Sequence, residues 1–133
     1  MASGVLVPVA RRWKGQINEL AKAGAGFDVL PEADHNSLAG LANPEGILSR
    51  TMTIFLKAAC DLPANQRRTD LTMQTYMLEG LSTNDFNASG ENPLAQQWSA
   101  LHFGDYVAYY LAMAYGEDPT PIPSIQEFKK RLG

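Results

Sequence analysis

Phe27-Asp28-Val29-Leu30-Pro31-Glu32-Ala33-Asp34-His35-Asn36 carries the chain from a strand into a polar turn. Val29 and Leu30 beside Phe27 favour extended backbone, and Pro31, which has no N–H to give to a ladder, ends the run. Asp34 or Asn36 then offers a side-chain oxygen to cap a short helix over Ser37–Ala42, and Asn43-Pro44-Glu45-Gly46 closes it as a turn. A strand that gives way to a helix in this manner predicts a parallel α/β sheet, in which ligands bind beyond the carboxyl ends of the strands. His35 falls at that point. With acids on either side it is a candidate for proton transfer, and the competing reading is a hydrogen-bonded structural histidine. Glu32 and His35 have the spacing of a helical metal pair, but Pro31 argues against helix there, so no metal is expected.

Upstream, Leu6, Val9, Ala10, Trp13, Ile17, Leu20 and Ala21 recur at helical spacing. Pro8 sits in the first turn, where its missing N–H costs little, and Gly24 or Gly26 is the expected C-terminal cap. Glu19 lies off the apolar stripe. Unless it has a task of its own, it is a solvated glutamate pairing with Lys22 or Arg12.

Downstream, Thr51–Leu56 is rich in β-formers and reads as a second strand. A helix follows from Asp61-Leu62-Pro63 to about Glu79, capped by Gly80, and Leu81–Ala88 holds a short third strand. Asn92-Pro93 starts a long helix that runs to Gly116. That helix is apolar around most of its circumference, which predicts burial on more than one side. Gly104-Asp105 interrupts it, and a buried Asp105 needs a partner, with His102 the nearest candidate. Glu117–Pro123 is a stiff connector, and Ser124-Ile125-Gln126-Glu127 reads as a capping box for a last helix over Ser124–Leu132. Lys129 lies beside the apolar face of that helix. About three strands with helices on both faces is the architecture these elements imply.

The composition sets the outer bounds. The 133 residues suffice for one domain with a sizeable core. A net charge of −3 without a basic run argues against nucleic acid. No apolar run reaches the roughly 18–20 residues of a membrane span, and Pro8 and Arg11-Arg12 break any leader pattern, so no membrane partner and a cytoplasmic location are expected. Cys60 is the single cysteine and is expected to be a small buried hydrophobe.

Three stretches, in this order, resemble the C-terminal half of the bifunctional phosphoglucose/phosphomannose isomerases, whose halves are sugar isomerase (SIS) domains. They are Arg12-Trp13-Lys14-Gly15-Gln16-Ile17-Asn18-Glu19-Leu20-Ala21-Lys22 with Leu30–Asn36, then Gly104–Ala112, then Asp118–Pro123 with Ile125 and Lys129. Leu20 stands where that family usually has Asn. The resemblance implies a three-layer SIS-type α/β fold with a small parallel sheet flanked by helices, its first strand cut short. It implies one C-terminal-type SIS domain over residues 1–133, with the N-terminal half and its phosphate-binding loop absent.

It further implies aldose–ketose isomerisation of hexose 6-phosphates through an enediol, with no cofactor. Glu19 would be the base, His35 would help open the sugar ring from the partner subunit, and Thr120 and Lys129 would lie at the substrate. The implied partners are a sugar phosphate and either a second copy or an N-terminal SIS half. A non-catalytic sugar-phosphate-binding domain and a structural remnant stand as alternatives.

Overall fold

The computed structural model describes all residues, 1–133. A parallel pair, β1 (Met52–Ala58) and β2 (Ser82–Ala88), runs in register from Met52 opposite Ser82 to Ala58 opposite Ala88. Ala2 extends this layer. It forms parallel bridges to Leu56 on one side and Val29 on the other. Phe27–Leu30 therefore joins the sheet, but through the Val29 bridge and not as a full ladder.

Five helices surround the layer: α1 (Val7–Leu20), α2 (Glu45–Leu48), α3 (Pro63–Leu78), α4 (Pro93–Tyr115) and α5 (Pro123–Leu132). Alternation along β1 decides what each face meets. Leu56 and Ala58, with Ile54, pack with Leu6, Val9, Ala10 and Trp13 of the α1 side and with Ala100 of α4. Phe55 points the other way, into a smaller core with Leu41, Tyr76 and Leu81. The three-layer α/β arrangement expected from the sequence is thus present.

The α1–α4 contact depends on one missing Cβ. Gly104 faces the Trp13 indole, whose Nε1 donates to Ala100 O at 2.8 Å. Asp105 beside it accepts from Gln16 Nε2, not from His102, which stacks edge-on with Tyr106. Gln16 is fully buried on α1, so the apolar stripe contains an amide that periodicity alone does not reveal.

Several boundaries differ from expectation. α1 ends before its glycines, because Lys22 takes the left-handed conformation at φ 54° that Gly usually supplies. Glu32–His35 winds as a 3-10 turn despite Pro31, and the expected helix over Ser37–Ala42 is a 3-10 turn at Ala39–Ala42. The expected turn at 43–46 opens α2. α5 starts at Pro123 with no side-chain cap, so proline at the first position, not the capping box, begins it. Asn92 caps α4 as read, accepting from Ala95 N at 2.9 Å. α4 buries one face only, through Gln96, Ala100, Gly104, Ala108 and Ala112. Small residues there let α1 approach closely and leave the larger side chains outside. Cys60 is exposed, because the chain has already left β1 when it reaches that position.

Candidate active site

Glu19 is the penultimate residue of α1. Ala2 and Val29 are parallel neighbours, so the segment between them must return the chain to the start of the sheet, and α1 makes that return. At ~1.5 Å per residue its fourteen residues cover ~21 Å. Glu19 therefore lies at the amino ends of the strands. It is half-buried, and its carboxylate accepts no hydrogen bond and joins none of the ion pairs, which are Lys57–Asp70, Lys57–Asp85 and Arg131–Glu127. The expected pairing with Lys22 or Arg12 does not form. A half-buried carboxylate without a protein partner is free to work as a base.

Lys22 is used differently. Its Nζ donates to the backbone carbonyls of Glu19 at 2.9 Å and Leu20 at 3.3 Å, and to those of Asp118 at 2.9 Å and Pro119 at 3.2 Å. One ammonium thereby joins the end of Glu19's helix to the connector that carries Thr120. Asp118 Oδ1 in turn accepts from Thr120 N at 2.9 Å, which fixes that turn. The structure therefore brings Thr120's turn to Glu19's helix end. Lys129 follows on α5, exposed, and its side chain makes no hydrogen bond or ion pair.

His35 stands at the other end of the sheet. The Val29 bridge lies level with Leu56, near the carboxyl end of β1, and the chain runs on from there through Leu30 into the 3-10 turn. The acids near His35 are engaged elsewhere. Asp34 Oδ1 accepts from Thr72 Oγ1 at 2.7 Å, and Glu32 Oε1 accepts from Asn36 Nδ2. The imidazole itself is exposed with no hydrogen bond, so His35 is not the hydrogen-bonded structural histidine that was the alternative. Glu19 and His35 do not meet within one chain.

A cleft of about 300 Å³ opens at the carboxyl ends of β1 and β2, lined by Ser3, Lys57, Asp61, Thr69 and Asp70 among others. Lys57 reaches Asp85 at 2.8 Å and Asp70 at 3.0 Å. Burial pulls its ammonium down, but the hydrogen bonds to Asp85 and Asp70 outweigh that and raise it above the ordinary lysine value. The same hydrogen bond holds Asp85 below the usual carboxylate range. The cleft's cation is thus already matched by two acids, which makes it a poor receptor for a phosphate. No three His, Cys, Asp or Glu side chains converge as a metal site requires.

These features define the class: a parallel α/β domain whose free carboxylate and exposed imidazole sit at opposite ends of one small sheet. Over residues 1–132 the chain matches the family described as the bacterial phospho-glucose isomerase C-terminal SIS domain. The chain belongs to that family. It is 37% identical over 130 residues to a bifunctional phosphoglucose/phosphomannose isomerase of Caldicellulosiruptor bescii, covering 98% of this chain and 38% of the relative. A protein of the same name from Aquifex aeolicus is 34% identical, with 93% and 38% covered. The chain thus spans well under half the length of these relatives. A glucose-6-phosphate isomerase-like protein of Thermus thermophilus shares the fold at a TM-score of 0.65 and 22% identity, covering 88% of this chain and 37% of that one. No helix is long and apolar enough to cross a membrane.

Proposed function

We propose that this chain is the C-terminal half of a hexose 6-phosphate aldose–ketose isomerase, and that its site is shared between subunits. In this reading the Glu19 carboxylate takes the C2 proton of an open-chain aldose phosphate. An enediol forms as the carbonyl oxygen at C1 gains a proton. Glu19 returns its proton to C1 while the C2 hydroxyl gives up its own, and the ketose results. His35 of a neighbouring subunit assists ring opening, and Thr120 and Lys129 contact the substrate. The observation that carries the reading is the unpartnered, half-buried Glu19 carboxylate on a helix end that Lys22 ties to the Thr120 turn. Phosphate recognition falls to an N-terminal SIS half, which accords with the acid-matched Lys57 cleft. Without that half the chain should show no turnover, because binding energy at the remote phosphate supports catalysis at the sugar.

The test fuses the N-terminal half of the Caldicellulosiruptor bescii relative ahead of this chain and measures fructose 6-phosphate conversion in a coupled assay. Glu19→Gln and His35→Ala should each abolish turnover. Dimers that mix the two variants contain one site with both lesions and one with neither, so up to half the activity per mixed dimer should return. An active fusion that tolerates Glu19→Gln would remove the base. Mixed dimers confirmed by mass but without recovery would remove the shared site.

A further inference from the structure

We infer that Lys22 is the positioning residue that registers the C-terminal arm, with Thr120 and Lys129, against the helix bearing Glu19. This rests on the reading of Glu19 as the base. The hydrogen bonds from Lys22 Nζ to Asp118 O and Pro119 O span 96 and 97 residues of sequence. Past the junction with α4 they are the only hydrogen bonds that reach from residues 118–133 back to the body of the domain. The other bonds of the arm are local: Glu117 N to Ala112 O, Thr120 N to Asp118 Oδ1, Gln126 N to Ile122 O, and Arg131 Nε to Glu127 Oε1. α5 buries none of its residues, so packing does not replace the tie.

The chemistry fits a lysine. An ammonium has three protons and no acceptor, and here four carbonyl oxygens surround it at 2.9–3.3 Å. Two belong to the last turn of α1, whose carbonyls have no helical partner, and two to the connector. The backbone at Lys22 has φ 54°, a conformation that disfavours any side chain. Glycine would fit the turn with less strain and would lose the ammonium. The helix end itself has other ties, from Ala21 N to Ile17 O at 3.1 Å and from Asn18 Nδ2 to Ala23 O at 2.7 Å. Loss of Lys22 should therefore leave Glu19 in place and release the arm.

Two variants test this, Lys22→Met and Lys22→Gly, the second of which removes backbone strain and so protects the fold. In the isolated chain, hydrogen exchange at the Thr120 amide should quicken at least tenfold in both variants while the urea midpoint does not fall. In the fused isomerase, KM should rise about tenfold with kcat within threefold, whereas Glu19→Gln abolishes kcat. Unchanged Thr120 exchange in the folded variants overturns the tether. Faster exchange with an unmoved KM overturns the positioning role. If exchange quickens and Glu19→Gln stays active, the tether stands and the isomerase reading has failed.

Discussion

Alanine placed at Gly104 and at Gly15 should move stability in opposite directions, although both glycines lie inside helices. At Gly104 a Cβ would come within 2.5 Å of Trp13 Cδ1 and 2.6 Å of Cε2. Those atoms cannot swing away. The indole is held by its hydrogen bond to Ala100 O and lies against Phe86 and Phe103, with ring centres 6.3 and 6.0 Å distant. Overpacking of this kind costs ~1–3 kcal/mol, and pushing the indole off Ala100 O leaves a buried donor unmet at a further ~1–3 kcal/mol. Helix propensity returns ~1 kcal/mol. The net loss is about 1–5 kcal/mol, centred near 3, which for a chain of this size lowers Tm by roughly 3–20 °C. At Gly15 a Cβ meets nothing within 4 Å. There the propensity gain of ~1 kcal/mol stands alone, and Tm should rise by roughly 3–4 °C. Thermal and urea unfolding followed by circular dichroism read both. A Gly104→Ala chain as stable as the parent would show that Gly104 does not set the α1–α4 distance.

The Met1 amine donates to Ile54 O at 2.8 Å, and burial, opposed by Asp28, lowers its pKa from 8.0 to about 6. Between those values the unfolded chain binds a proton that the folded chain excludes, so stability should rise by ~2 kcal/mol from pH 6 to pH 8 and level off about one unit beyond each end. Urea midpoints at the two pH values, with Met1 confirmed by mass, check it, and a flat profile would contradict the burial. Lys57→Met leaves Asp70 and Asp85 facing each other and should cost about 1 kcal/mol at neutral pH after solvent screening. Because Asp85 is held below its ordinary 3.8, that difference should shrink as pH falls through the acid range, and an undiminished difference would rule out the ion pair as its source. Trp98, His102, Tyr106 and Tyr110 form an exposed stripe at four-residue spacing on α4, three of them at 61%, 50% and 63% exposure for Trp98, Tyr106 and Tyr110. Such a face favours association, so the chain should self-associate between micromolar and near-millimolar concentration in sedimentation, and Tyr106→Lys with Tyr110→Lys should shift it to monomer.

Much of the architecture is written in local chemistry. Asn92-Pro93 starts α4 and Gly116, at φ 71°, ends it, because caps and glycine conformations are decided within a few residues. The alternation of Ile54, Phe55 and Leu56 likewise assigns faces without reference to the rest of the chain. What the sequence hides is pairing at a distance. Gln16 is legible as a polar residue near an apolar stripe, yet its partner Asp105 is 89 residues away. Lys22 reads as an ordinary lysine before a glycine run, and neither its φ nor its four carbonyl partners can be read from periodicity. The apolar circumference of α4 misleads for a related reason. Hydrophobicity marks a surface that is to be covered, and in this chain only the small-residue face is covered by α1.

The separation of Glu19 and His35 follows from topology. A parallel neighbour strand forces α1 to run the length of the sheet, so a residue in its last turn and a residue after the next strand must occupy opposite ends. Twelve residues from Val7 to Glu19 place the carboxylate ~18 Å along the helix, whereas proton transfer needs a heavy-atom approach of ~3 Å. Rotamer changes in two side chains do not close such a gap. If both groups act on one substrate, the imidazole has to come from a different copy. The end of a helix also leaves backbone carbonyls without helical partners beneath Glu19. Lys22 fills that need and ties in the C-terminal arm. Its charge offsets the carbonyls under Glu19, and its reach brings Thr120's turn to the same end. In the proposed site the arm hangs on one ammonium while the helix end has further ties, so the arm is separable from the carboxylate by mutation.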